Sequence, residues 1–167
     1  MSIALALAFV ASIQQAPCQP GQVTAVHRGK DYTITICGVG EMGLRGVEPP
    51  LGAAVSLGNL DGNPGHQLGG DVLGDKDIGP EALQFLSGLV IGKKVTLVYD
   101  GWRVGDFGGR QYAYVYLPDT TFVNAELIRR GLGYADRQGS HPRRDEFLVL
   151  EAAARRAKAG LWASYPG

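Results

Sequence analysis

The chain has 167 residues, 45% of them hydrophobic and 19% charged, which is enough for one globular domain with a sizeable core and too short for two full ones. Lys and Arg (16) balance Asp and Glu (16), which excludes a protein that grips long stretches of duplex by phosphate neutralisation alone, because that mode leaves a basic footprint. Glycine reaches 25 residues with no G-X-Y period, so the excess belongs to turns and loops and not to a collagen helix.

The N-terminus carries an apolar run, Ile3 to Ile13, too short to span a bilayer as a helix and of the length of a signal-peptide core. The expectation is a signal peptide over residues 1–16 and a single secreted or periplasmic domain over 17–167. A short buried N-terminal helix or strand is the other reading, since no Lys or Arg precedes the run. Cys18 and Cys37 flank a candidate hairpin, and a disulfide would staple its base in an oxidising compartment; two separate thiols are the alternative. His27, His66 and His141 are scattered and share no metal-ligand spacing with the cysteines.

Val23 to Val26 and Thr33 to Ile36 are short β-branched runs with period-two alternation, and Gly29 lies between them, so they predict a hairpin. Leu44 to Val47 is a third strand candidate, stopped by Pro49 and Pro50, which cannot donate to a ladder. Residues 51–79 hold eight glycines in 29 residues with little periodicity and predict a long insertion loop. Pro80 and Glu81 then open a helix to Ile91 with apolar residues at helical spacing and Gly92 as its stop. Lys94 to Tyr99 and Arg110 to Leu117 predict two pairing strands. Val123 to Arg130 and Arg143 to Ala159 predict two helices, the latter with acids in its first turn and cations in its last. This order suits a mainly β fold with helices, a five-stranded OB-type barrel capped by three helices.

Four stretches, GPEALQFLSGLVIGKKVTLVYD, DFGGRQYAYVY, VNAELIRRGLGYA and AKAGLW, in this order and at these spacings resemble the staphylococcal-nuclease-like (thermonuclease) family, with LRGVEPP as a weaker match upstream. The resemblance implies an OB-fold barrel and a calcium-dependent phosphodiesterase acting on single-stranded or frayed DNA and RNA. Residue by residue, Arg110 in the stretch Asp106 to Arg110 falls on the family's phosphate-binding, transition-state arginine, and Glu48 on a metal-binding aspartate. Asp31 falls on the second metal aspartate only with a one-residue register shift, which otherwise puts Tyr32 there. The general-base glutamate falls on Leu51, and the arginine of the motif strand on Gly43 or, with a slip, is displaced to Arg45.

Losing a general base costs roughly 10²- to 10⁴-fold and losing an electrostatic stabiliser roughly 10²- to 10³-fold. The expectation is therefore an exported, catalytically impaired domain that binds single-stranded nucleic acid, a nucleotide or another anion, or a protein partner, as a monomer without a membrane span. The alternative is an active calcium-dependent nuclease using Glu48, Arg110 and an acid from the insertion, where Asp61, Asp71, Asp75 and Asp77 stand. Tyr112, Tyr114 and Tyr116 alternate along one strand and either stack bases or pack the barrel. Trp102 is a candidate substrate contact from the loop before that strand, whereas Trp162 reads as a plug docking the last helix. The arginine pairs 129–130, 143–144 and 155–156 read as a phosphate surface or as dipole-matched helix ends.

Overall fold

The computed structural model describes residues 18–28, 31–50, 79–100, 111–137 and 140–164. The expected leader, the insertion up to residue 78, Trp102 and Arg110 lie outside the described residues. Strands β1 (Val23–Arg28), β2 (Tyr32–Ile36), β3 (Gly40–Leu44), β5 (Thr96–Val98) and β6 (Gln111–Tyr116) form one mixed sheet in the order β1-β2-β3-β6-β5. All neighbours are antiparallel except β3 and β6, which run parallel with Gly43 opposite Tyr112. The ladder is open between β5 and β1, and that gap is spanned by the Gln22–Lys94 bridge together with Val23 N–H to Lys93 O at 2.9 Å and Val95 N–H to Gly21 O at 3.1 Å. The Cys18–Cys37 disulfide joins the chain entering β1 to the end of β2, as the hairpin reading expects.

The helices are α1 (Gly79–Val90), α2 (Val123–Arg129) and α3 (Arg144–Arg156), followed by a 3-10 turn at Gly160–Ser164. α1 turns Ala82, Leu86 and Val90 into the core, a stripe at i, i+4 and i+8 that only a helix can gather on one side. β2 buries Tyr32, Ile34 and Ile36 by strand alternation. α3 buries Phe147, Glu151 and Ala154, so the inner stripe of this helix carries a carboxylate at its centre. Trp162 is buried, edge-on to Tyr134 at 5.5 Å and beneath the Arg155 guanidinium at 4.0 Å, and so plugs the end of α3. Gly131 and Gly160 allow this closure: both have positive φ, and a Cβ on Gly131 would stand 2.2 Å from Ala159 O.

Of the boundaries that differ from the sequence reading, three have a plain physical cause. The strand expected over Leu44 to Val47 is two strands, β3 ending at Leu44 and β4 (Val47–Glu48), because Gly46 turns the chain at φ +76° and lets β4 leave the sheet to pair with β7 (Tyr134–Ala135). The insertion ends at residue 78 and not 79, since Gly79 already opens α1 one residue ahead of Pro80. Only Thr96–Val98 of the run Lys94 to Tyr99 is ladder, its start being committed to the bridge with Gln22. Among the described residues no helix is long and apolar enough to cross a membrane.

Asn124, wholly buried, ties these parts together. Its Oδ1 accepts from Val115 N–H at 2.9 Å, and its Nδ2 donates to Arg45 O at 3.0 Å and Ala113 O at 3.3 Å, so α2, β6 and the β3–β4 turn share one side chain. Asn124→Ala leaves these backbone groups unpaired and is expected to cost about 3 kcal/mol. Thermal unfolding followed by circular dichroism should then show a midpoint about 6–12 °C lower; an unchanged midpoint would mean that water replaces the amide at no cost.

Candidate functional site

The residues with chemical potential converge where β2, β3, β6 and the β4–β7 ribbon meet. Gly43 has no side chain, and the ring of its register partner Tyr112 lies across it: a Cβ at position 43 would stand 2.5 Å from Tyr112 Cδ1. Tyr112 therefore occupies the volume that any larger residue at 43 would need. From there its hydroxyl donates to Asp31 Oδ2 at 2.9 Å. Asp31 directly precedes β2, so Tyr32 enters the strand and is buried, donating its hydroxyl to Leu132 O at 2.6 Å. Of the two registers open in the sequence, the structure gives Asp31 the polar position and Tyr32 the core.

Glu48 stands on β4 opposite Tyr134, and two residues on, Asp136 donates its backbone N–H to Gly46 O at 3.0 Å. This ladder brings the side chains of Glu48 and Asp136 into hydrogen-bond contact. The Glu48 side chain keeps solvent contact, yet its surroundings are dense in protein. Burial pushes its carboxyl up to about 7, helped by the negative charges of Asp136 and Asp31 and opposed by Arg137.

Arg137 is held from behind. Glu151, 1% exposed, accepts from Arg137 Nη2 at 2.6 Å and Nη1 at 3.2 Å, from Ala135 N–H at 2.9 Å, and from Arg155 Nη2 at 2.6 Å. Burial opposes the ionisation of Glu151, and the bonds from Arg137, Ala135 and Arg155 outweigh it, so its pKa lies below the usual glutamate value. Neither Asp136 nor Arg137 stands out in the sequence, because their place beside Glu48 depends on a two-residue strand too short to show a period. Glu151 does leave a signal: a charge on the buried stripe with Phe147 and Ala154 demands partners.

Two other candidates take structural places. Arg45 donates to Asp100 Oδ2 at 3.1 Å and to Ser140 O at 3.0 Å, so the guanidinium that a register slip would offer to the cleft is engaged elsewhere. The tyrosine stripe is divided. Tyr114 is buried with its hydroxyl 3.0 Å from His141 Nδ1, Tyr116 stacks on Phe122 at 4.5 Å, and Tyr112 alone stands beside the acids. Arg28 donates to Pro50 O at 3.0 Å and packs its guanidinium against Gly79, so one side chain touches both residues that flank segment 51–78.

Calcium takes six to eight oxygens at about 2.3–2.6 Å. Glu48 and Asp136 supply two carboxyls in mutual contact, Asp31 is turned to Tyr112, and among the described residues no three of His, Cys, Asp or Glu gather to hold a metal ion. By themselves these side chains do not make a calcium cage.

The titration of Glu48 has a measurable consequence. Its folded value lies above the ordinary 4.5, so folding resists its ionisation: the cost is absent where both states are protonated, grows as pH rises towards 7, and is constant beyond. With allowance for solvent at the exposed side chain, Glu48→Gln is expected to stabilise the protein by about 1 kcal/mol at pH 8 and not at pH 4. Urea unfolding at the two pH values checks this, and a mutant destabilised at pH 8 would show that Glu48 is ionised and favourably paired.

A sequence model of the family described as staphylococcal nuclease homologue matches residues 55–164. An uncharacterized protein of Bacillus anthracis is 36% identical over 88 residues, which is 51% of this chain and 40% of that protein. The chain thus spans less than half the length of this relative.

Proposed function

The chain belongs to the staphylococcal nuclease homologue family, and on that premise we propose that it is an exported nuclease-type domain with impaired hydrolysis, whose cleft binds single-stranded nucleic acid or a nucleotide. The observation that carries this reading is Tyr112 lying across Gly43. An arginine at 43 would have to displace that ring, so the guanidinium that the resemblance expects on β3 has lost both its side chain and its space. Leu51, where the resemblance puts the general base, lies outside the described residues, and its hydrocarbon side chain cannot accept a proton in any placement. What the cleft retains suits binding. Tyr112 offers an aromatic ring beside the acids, Arg110 and Trp102 belong to the segment preceding β6, and base–aromatic stacking contributes roughly 1–3 kcal/mol per base. Export rests on the apolar run over Ile3 to Ile13 and on a disulfide pair that an oxidising compartment would maintain. A protein partner and a monomeric state belong to the same proposal.

One observation favours a second reading, an active calcium-dependent phosphodiesterase. A carboxyl near 7 is suited to move a proton at neutral pH, and Glu48 in contact with Asp136 has that character. In this version Glu48 would move the proton, Arg110 would stabilise the charge on phosphorus, and an acid of the insertion would stand in for Leu51.

The two readings separate in an assay of single-stranded DNA and RNA hydrolysis by protein lacking residues 1–16, with calcium or with chelator, beside Arg110→Ala. The expected result is no cleavage above the Arg110→Ala background in either condition. Calcium-dependent cleavage abolished in Arg110→Ala would establish the second reading instead.

A further inference from the structure

Gly43 stands where the resemblance puts an arginine on β3, and another arginine lies near the acids. Arg137 directly follows Asp136, and its positive charge reaches Glu48. Its end-on fork, Nη1 and Nη2, is taken by Glu151, and Nη1 also reaches Ala135 O at 3.3 Å. A guanidinium has five N–H donors, so this leaves the side-on fork, Nε–H and the second N–H of Nη2, without a bond among the described residues. The Arg137 side chain is 37% exposed although the carboxylate that holds it is 1% exposed. Glu151 is shared by Arg137 and Arg155, so two guanidiniums meet one carboxylate. Arg155 gives Nε and Nη2 to Glu151 and its face to Trp162, which leaves Arg137 as the member of the trio next to the acids.

On the binding reading above, we propose that Arg137 is a phosphate-binding guanidinium of this cleft, supplied from the end of β7 in place of the arginine that Gly43 lacks, and that Glu151 positions it. The ligand is a phosphodiester of single-stranded nucleic acid, whose paired oxygens match a planar fork better than a point charge does. Glu151 fixes the plane of the guanidinium at its far edge and keeps it from collapsing onto Glu48 and Asp136 as an internal ion pair. The acids and the arginine then stay separately available.

The test is binding of a fluorescein-labelled oligothymidylate to the full chain by anisotropy, in chelator, over a range of salt concentrations. Arg137→Gln removes the charge but leaves Glu151 with Arg155 and the Ala135 amide, so the fold retains its buried anchor. It is expected to weaken binding about tenfold or more and to reduce the slope of log K against log salt by about 0.7, the value for one phosphate contact on a single strand. Arg137→Lys should recover the slope and only part of the affinity. Arg155→Gln, which removes the other cation from the same carboxylate, should leave the slope unchanged. An unchanged slope in Arg137→Gln, or an equal fall in Arg155→Gln, overturns the role of Arg137. If Tyr112→Ala weakens binding in that case, the cleft reading survives without it. A wild-type chain that does not bind the oligonucleotide overturns both.

Discussion

A carboxylate buried under the last helix sets the terms for the rest of the molecule. Glu151 has 1% of its surface in water, and an unpaired charge there would cost several kcal/mol, so everything around it is arranged to supply donors. The Ala135 amide brings β7 to it, Arg155 brings the end of α3 and the Trp162 plug, and Arg137 brings the chain leaving β7. β7 in turn is the partner that gives β4, and with it Glu48, a place. A two-residue ribbon has little stability of its own, and this one is pinned from behind by a charge that cannot be left alone. Asn124 does the neutral counterpart of this work on the other side of the β3–β4 turn, where it satisfies three backbone groups at once.

From these anchors the character of the cleft follows. An enzyme that cleaves phosphodiesters needs positive charge aimed at the developing oxyanion and a base that is free to take a proton. Here the β3 position offers a glycine under a tyrosine ring, the tyrosine hydroxyl is turned to Asp31, and two carboxyls are in contact. The scaffold is that of the staphylococcal nuclease homologues, and along one wall Tyr112 lies across Gly43.

The legible parts of the fold are those in which a local pattern and the tertiary demand coincide. Ala82, Leu86 and Val90 announce α1 because a core-facing helix needs apolar residues at that spacing, and Tyr32, Ile34 and Ile36 announce β2 for the corresponding reason in a strand. The cysteine pair was readable because a disulfide needs a second thiol, and the docking of Trp162 because the resemblance includes its AKAGLW stretch. The β3–β4 break was not readable: Leu44 to Val47 has the composition of a continuous strand, and only the left-handed turn at Gly46 divides it. The tyrosine stripe was ambiguous for a similar reason, since alternation says which side of the strand a ring occupies and not what covers that side.

The amino-acid sequence alone determined the family, the three helices, the main strands of a five-stranded β fold and the vacancy at Gly43, since these depend on residue identity and on periods that survive without long-range contact. Only the tertiary structure decided that Asp31 rather than Tyr32 faces the polar side, that Tyr112 fills the space above Gly43, and that Asp136 and Arg137 stand with Glu48. Those placements arise from a strand register and a buried carboxylate that join residues far apart in the chain. No spacing within a single segment encodes such a meeting, because the free energy that enforces it comes from burial and pairing after the chain has closed on itself.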